Sequence, residues 1–172
     1  MKIMILNGSP HMKGHTMAMV DAFMDGAKES GHEVILHHVA LMNIKGCLGC
    51  ECCHQKEDAQ CVQKDDMQLL SHDLQTADMI VFASPVYYFT LSAQLQSVIQ
   101  RTYAYGILKN VRKTALIMSS GSPYVYGPAL AQYYQSIVEY WHCENAGIFT
   151  SNEKENNQDE IMKALYAFGK QL

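Results

Sequence analysis

The chain has 172 residues, of which 48% are hydrophobic and 17% are charged, proportions that are typical of one folded domain with its own core and not of a disordered chain. Its formal net charge is −4, which gives no support to nucleic-acid binding. No apolar run approaches the ~18 residues that cross a bilayer, and the first residues show no signal-peptide pattern. We therefore predict a cytoplasmic protein with no membrane and no nucleic-acid partner.

Apolar and amphipathic segments alternate along the chain. Strands are predicted, in order, at residues 2–7, 33–41, 78–84, 114–120 and 146–151. Helices are predicted at residues 16–30, 65–76, 91–103, 128–141 and 158–172. Most of the strands are continuous apolar runs, as expected where helices cover both faces of a sheet. The pattern predicts a single α/β domain over residues 1–172, with a doubly wound, five-stranded parallel sheet.

The first strand runs into a glycine-containing loop, NGSPHMKGHT, at residues 7–16. Ser9 and Thr16 add hydroxyl donors, and no acidic residue occurs before Asp21. The next helix begins at this loop, so its free N–H groups and its dipole favour an anion there. We interpret the loop as a phosphate site; the alternative is a capped turn with incidental glycines.

This loop does not have the Walker pattern of nucleoside-triphosphate-binding proteins. Five residues separate Gly8 from Gly14, and His15 stands in the position of the lysine. The usual pattern has four intervening residues followed by Gly-Lys-Ser/Thr. The predicted anion is therefore the phosphate of a different kind of ligand.

Two later loops carry aromatic side chains. SPVYYFTLSAQ follows the third strand, and SGSPYVYG follows the fourth. Tyrosine rings can sandwich a planar ring system, although aromatic clusters also occur at subunit contacts. Ligands of open parallel sheets bind beyond the carboxyl ends of the strands, so the phosphate loop and the two aromatic loops together predict FMN. The residues assigned to its ring system are Pro85, Val86, Tyr87, Tyr88, Phe89, Gly121 and Tyr124.

A long insertion between the second strand and the second helix carries five of the six cysteines. Cys47, Cys50, Cys53 and Cys61 form the pattern C-x2-C-x2-C-x7-C, whose short spacings are common among ligands of iron–sulfur clusters. The same four thiols suit zinc, or they carry no metal. Clustered cysteines indicate metal or redox chemistry, and a secreted disulfide scaffold would spread them along the chain. The three alternatives stay open on the residues alone.

Three segments in this order resemble a known family: LNGSPHMKGHT, GCLGCECC and SPVYYFTLSAQLQSVIQR. They are similar to the flavodoxin-like NAD(P)H-dependent FMN reductases, and within these to the iron–sulfur flavoprotein branch. The resemblance implies a flavodoxin-like fold, a four-iron four-sulfur cluster on the cysteine motif, and a homodimer or dimer of dimers. It assigns the FMN phosphate to Ser9, Gly14 and Thr16, and the isoalloxazine to residues 85–89 and Gly121.

The chain departs from that family pattern in the first loop. His11 and His15 stand where the family often has arginine and asparagine. We include both histidines in the predicted phosphate site. Their presence removes a permanent charge and makes binding depend on histidine protonation.

The function predicted from these features is an FMN-dependent oxidoreductase that takes electrons from NAD(P)H and passes them to an unidentified acceptor. No catalytic side chain is assigned, because the flavin supplies the chemistry. One alternative is a non-enzymatic electron-transfer flavoprotein. The other is a redox or metal sensor that uses the cysteine loop on the same fold. The cysteine loop follows the second strand, so it is predicted to start on the flavin side of the sheet. From there it can fold back toward the isoalloxazine of its own subunit or toward the flavin of a partner subunit.

Overall fold

The computed structural model describes residues 1–55, 60–152, 154 and 158–172. Five parallel strands form the main sheet, in the order β2-β1-β3-β5-β6. They are β1 (Lys2–Asn7), β2 (Glu33–His37), β3 (Met79–Tyr87), β5 (Lys113–Ser120) and β6 (Glu144–Asn152), and the short β4 (Thr90–Leu91) pairs with β3 in antiparallel orientation. The prediction of a five-stranded parallel sheet is confirmed, and β4 is an addition to it.

All five predicted helices are present within the described residues. They are α1 (His15–Glu29), α2 (Met67–Thr76), α3 (Ala93–Arg101), α4 (Gly127–Tyr133) and α5 (Gln158–Gln171). The helix predicted at residues 128–141 changes after Tyr133 into a π-helical segment, Tyr134–Glu139. The helix predicted to start at residue 91 begins two residues later, because Leu91 belongs to β4 and Ser92 caps the helix by accepting the N–H of Leu95.

The second strand is shorter than predicted. It ends at His37, which pairs with Leu6 of β1. No residue beyond His37 has a partner in β1, so the chain turns into a 3-10 segment at Val39–Leu41. Val39 still packs in the core, whereas Leu41 is exposed. The apolar residues 39–41, which follow His37 and His38, were therefore wrongly counted as part of the strand.

The sheet separates two hydrophobic layers. Successive residues of a strand point to opposite faces, so Ile3 and Ile5 pack on one side while Met4 and Leu6 pack on the other. The first side is covered by α1 and α5, and the second by α2, α3 and α4. Burial on both faces explains why the strands read as continuous apolar runs.

Two glycines allow α1 and α5 to pack unusually closely. A Cβ on Gly26 would lie 2.0 Å from the carbonyl oxygen of Tyr166, and a Cβ on Gly169 would lie 2.4 Å from that of Phe23. Each of these contacts is with backbone, which cannot move aside as a side chain can. The two helices are therefore held at a distance that no larger residue permits.

Within the part of the chain that the structure describes, no helix combines the length and the apolarity that a bilayer crossing would require.

Candidate functional site

The carboxyl ends of β1, β3 and β5 are neighbours in the sheet. Asn7 is paired with Ala83, and Pro85 with Ser119. The strand order reverses between β1 and β3, the position at which open α/β sheets bind their ligands. The glycine loop and the two aromatic loops therefore leave the same edge of the sheet from three adjacent strands.

The glycine loop ends in an uncapped helix. Gly14 occupies the N-cap position of α1 in an extended conformation, no side chain caps the helix, and its first turn contains no acidic residue. The first N–H groups of a helix lack partners within the helix. Together with the helix dipole, they form a site with the chemistry that a phosphate needs.

Two hydroxyl residues of the glycine loop are buried, Ser9 and Thr16, each 2% exposed. The Thr16 Oγ1 lies 2.6 Å from the Oγ of Ser119 at the end of β5. In such a pair one hydroxyl donates to the other, so one proton of the pair remains for a ligand. The Oγ of Ser9 accepts the N–H of His11 at 3.2 Å and thereby shapes the turn.

The two histidines assigned to the phosphate site lie in different surroundings. The Nε2 of His15 forms a hydrogen bond of 2.7 Å with the Oγ of Ser151 in β6. His11 is exposed. His15 therefore attaches the start of α1 to the last strand, whereas His11 stays at the surface of the loop.

Asn7 organises the glycine loop and was missed by the sequence analysis. Its side chain is fully buried; the Oδ1 accepts the N–H of Ser9 at 2.9 Å, and the Nδ2 contacts the Nδ1 of His38 at 3.4 Å. The sequence analysis also missed Ser119 and Ser151, which bond to Thr16 and His15. All three are polar residues near the ends of apolar strands, and that position is the signal that would have identified them.

The first aromatic loop is a tight hairpin between β3 and β4. Tyr88 and Phe89 form its tip with positive φ angles of 49° and 68°, a conformation that is costly for bulky residues and is found mainly at functional sites. Tyr88 is 94% exposed, and Tyr87 and Phe89 are half exposed. Pro85, at the base of the hairpin, is buried.

The second aromatic loop follows β5. Tyr124 is 90% exposed, and a Cβ on Gly121 would meet no atom within 4 Å. Tyr126, which was not among the predicted residues, is anchored: its hydroxyl accepts from the Oγ of Ser120 at 2.7 Å and donates to the carbonyl of Ser151 at 2.9 Å. The loop therefore has a fixed base and leaves open space beside Gly121.

The cysteines of the insertion are all free thiols. Hydrogen bonds from the backbone and side chain of Cys52 lower the pKa of Cys50. Burial raises the pKa of Cys53, and the nearby thiols of Cys61 and Cys47 act in the same direction. Cys47 and Cys61 thus act electrostatically on Cys53, whereas Cys50 forms a hydrogen bond with Cys52.

Among the described residues, no three His, Cys, Asp or Glu side chains are arranged to hold a metal ion. The donor set nevertheless suits a thiophilic metal in kind, since four thiols occur within fifteen residues.

The cysteine loop packs on the segment that follows α3. The hydroxyl of Tyr103 donates to the carboxylate of Glu51 at 2.8 Å, which raises the pKa of Tyr103. The Nε2 of His54 lies 3.0 Å from the carbonyl of Tyr103, and the two rings meet edge to face at 4.6 Å. The aromatic hairpin at Tyr88 and Phe89 lies before α3, and the contact of the cysteine loop with Tyr103 lies after it. The nine residues of α3 separate the two, which corresponds to about 13.5 Å along the helix axis.

The strand order, the uncapped helix at the switch point and the aromatic loops define the class of flavodoxin-like domains. Residues 1–154 match the family described as NADPH-dependent FMN reductase. The chain belongs to this family, as the sequence predicted. Membership supports FMN and NAD(P)H as its ligands.

Individual similar proteins agree with this assignment. An iron–sulfur flavoprotein of Archaeoglobus fulgidus is 38% identical over 106 residues, which are 62% of this chain and 47% of that protein. A NAD(P)H:quinone oxidoreductase from Methanothermobacter marburgensis has a TM-score of 0.78 at 16% identity, covering 99% of this chain and 96% of the other. For an FMN-dependent NADH-azoreductase from Bacillus anthracis, in complex with FMN, the TM-score is 0.70 at 14% identity, with 99% and 97% covered.

The two solved structures share the fold with this chain. The matches to the curated iron–sulfur flavoproteins cover only about half of their length, between 47% and 52%.

Proposed function

We propose that this protein is an FMN-dependent oxidoreductase that takes electrons from NAD(P)H and passes them to a separate acceptor. The observation that carries the proposal is the acid-free, uncapped start of α1, with the buried hydroxyl of Thr16 beside it. This anion site lies at the switch point of the sheet, at the same edge as two loops that carry aromatic side chains. One phosphate site next to one aromatic platform matches the chemistry of FMN.

Each part of the site has a distinct task in this proposal. The N–H groups at the start of α1 and the Thr16–Ser119 hydroxyl pair would hold the phosphate. Residues 85–89, with Gly121 and Tyr124, would border the isoalloxazine. When bound, FMN supplies the hydride and electron chemistry, while the chain binds and orients it. Gly121, with no atom near its missing Cβ, leaves room on this side of the ring.

Anaerobic reduction of the bound flavin tests the proposed activity. The full chain is supplied with FMN, freed of excess cofactor, and mixed with NADH or NADPH while the visible flavin band is followed. We expect one nucleotide to bleach the band faster than it bleaches free FMN at the same concentration. Added quinones and azo dyes, the acceptors named for the proteins that share this fold, then test for reoxidation.

Two results would argue against an NAD(P)H oxidoreductase. A chain that binds no FMN would contradict the cofactor site itself. A chain whose bound flavin is reduced by dithionite but by neither nucleotide would favour the non-enzymatic electron-transfer flavoprotein. This flavoprotein is the second candidate, because the name iron–sulfur flavoprotein, carried by the curated relatives, states cofactors and no substrate.

We further propose that the cysteine loop holds a thiolate-bound metal centre, with Cys47, Cys50, Cys53 and Cys61 as ligands. The spacing of the thiols and the names of the relatives support an iron–sulfur cluster. Zinc and metal-free thiols are the alternatives that the experiment must separate.

Single Cys→Ser variants test the ligand set. After anaerobic reconstitution, we expect variants at the four ligands to lose most of their bound iron, because a hydroxyl is a poor ligand for this centre. Cys52→Ser should retain iron and serves as the matched control, since Cys52 lies within the same loop. Metal content by mass spectrometry and the visible spectrum are the measurements. Wild-type protein that binds zinc alone, or no metal, would contradict the cluster without affecting the FMN site.

The remaining proposals concern the assembly and its location. We propose a homodimer or a dimer of dimers, because Tyr87, Tyr88, Phe89 and Tyr124 leave a large aromatic surface exposed near one edge of the sheet. We also propose a cytoplasmic location, because clustered free thiols are typical of a reducing compartment.

A further inference from the structure

Arg101 is a buried charge outside the FMN site. It is the last residue of α3 and is 2% exposed. Its Nη1 donates to the Oδ2 of Asp65 at 2.7 Å and its Nη2 donates to the Oδ1 at 3.1 Å, a bidentate pair. Buried ion pairs are weak contributors to stability, since desolvation offsets most of their attraction. The position of this pair therefore needs an explanation other than stability.

The partners of Arg101 lie at the two ends of the cysteine insertion. Its Nη1 also donates to the carbonyl of Lys45 at 3.0 Å. The carboxylate of Asp65 in turn accepts the N–H of Lys45 at 3.1 Å and that of Met67 at 3.2 Å. One guanidinium and one carboxylate thus connect Lys45, two residues before the first cysteine, to Asp65 and Met67, which follow the last one.

Further hydrogen bonds continue this closure on both sides. The Nε2 of Gln63 donates to the carbonyl of Gly46 at 2.9 Å. The N–H of Asn43 donates to the carboxylate of Asp66 at 2.7 Å, and the N–H of Asp66 donates to the carbonyl of Asn43 at 3.2 Å. Residues 43–46 and 63–66 therefore form a stem from which the cysteine loop projects, with Arg101 at its buried side.

Cys61 also lies close to Arg101. Burial acts to lower the pKa of Arg101, but Asp65 and, after it, Cys61 raise it. Arg101 and Cys61 line a common cavity of about 650 Å³ between α2 and residues 104–110. A small reagent can therefore approach this partly buried thiol through the cavity.

We propose that Arg101 is a positioning residue for the cysteine loop, which closes the stem and thereby sets the distance between Cys47, Cys50 and Cys53 on one side and Cys61 on the other. This role rests on the metal centre proposed for the cysteine loop and is independent of the FMN site. The phosphate loop is connected to Ser119 and Ser151, neither of which contacts Arg101.

Thiol access measures the proposed role directly. The reduced full chain, supplied with FMN, is pulsed with iodoacetamide, and the modification of each cysteine is read from peptide masses. We expect Arg101→Leu to increase the modification rate of Cys61 about tenfold or more, because local opening governs access to partly buried groups. Buried Cys143 is the internal reference and should not change. Bound metal per chain should fall, whereas bound FMN should not.

Two further variants separate positioning from stability. Arg101→Leu leaves Asp65 as an uncompensated buried charge, so it also lowers thermal stability. The double variant R101L/D65L removes both charges and should recover part of that stability, although the N–H groups of Lys45 and Met67 lose their acceptor. It cannot bind the Lys45 carbonyl, so Cys61 should stay reactive. Arg101→Lys keeps the charge without the bidentate geometry and should give an intermediate rate.

The chain's other arginine, the exposed Arg112, provides the matched control. Arg112→Leu should leave the reactivity of Cys61, the metal content and the FMN content unchanged. The proposal is wrong if R101L/D65L restores slow modification of Cys61 together with stability, or if folded Arg101→Leu or Arg101→Lys protein reacts like the wild type. Thiol reactivity decides this even if the wild type holds no metal, and FMN content reports separately on the proposed oxidoreductase.

Discussion

Replacing Gly26 with alanine is expected to lower the free energy of unfolding by about 3 kcal/mol or more, the upper part of the range for overpacking a well-packed contact. For a chain of this size, a loss of about 3 kcal/mol corresponds to about 6–12 °C in melting temperature. The reason is geometric: the new Cβ would lie 2.0 Å from the carbonyl oxygen and 2.9 Å from the carbonyl carbon of Tyr166. To accept it, α5 must move away from α1.

Helix propensity alone predicts the opposite result. Alanine stabilises the interior of a helix by about 1 kcal/mol relative to glycine, so an isolated α1 would gain from the change. In the folded protein, however, α5 covers the same face of the sheet as α1, and Leu165 and Phe23 share the core layer between them. Displacing α5 opens this layer, and the cost of lost packing exceeds the gain in propensity.

The control is Gly121→Ala in the loop after β5, where a Cβ would meet no atom within 4 Å apart from its chain neighbours. We expect this variant to be neutral or slightly stabilising. Thermal and urea unfolding in the absence of added FMN measure both variants. Equal stability of the two would show that α1 and α5 do not approach as closely as the structure has them.

The sequence predicted the sheet well because burial on two faces leaves a strong local signal. Continuous apolar runs such as residues 3–6 and 79–83 occur where helices cover both sides. Strand two was predicted too long for a nonlocal reason: apolar residues return at 39–41, but the pairing with β1 ends at His37, opposite Leu6. The end of a strand depends on its neighbour, which hydrophobicity alone does not reveal.

The sequence indicated which loops contribute to the candidate site, but it did not indicate which hydrogen bonds connect them. Glycines, hydroxyls and aromatic residues mark the three loops locally. The bonds between Thr16 and Ser119 and between His15 and Ser151 join residues more than 100 positions apart. The strand order brings these residues together, and a single sequence does not reveal which side chains then meet. Arg101 was overlooked because its partners likewise lie in another segment, 36 and 56 positions away.

Replacing Thr16 with glutamate is expected to abolish FMN binding. Thr16 is 2% exposed in the first turn of α1, so the new carboxylate would occupy the space beside the free N–H groups and compete with the phosphate for them. The same N–H groups favour the carboxylate, which keeps the helix start formed while the cofactor is excluded. Titration of the apoprotein with FMN, followed by flavin fluorescence, measures the affinity.

Three companion variants separate occupancy of the site from long-range charge. Ala18→Glu adds the same charge at an exposed position two residues further along α1 and should still bind FMN. Thr16→Ser keeps the hydroxyl and should bind nearly as well as the wild type. Thr16→Val removes the hydroxyl alone, and the loss of one hydrogen bond to a charged group, about 1.5–3 kcal/mol, should weaken binding roughly 10- to 150-fold. If Thr16→Glu retains one FMN per chain, or if Ala18→Glu loses it equally, the phosphate does not bind at the start of α1.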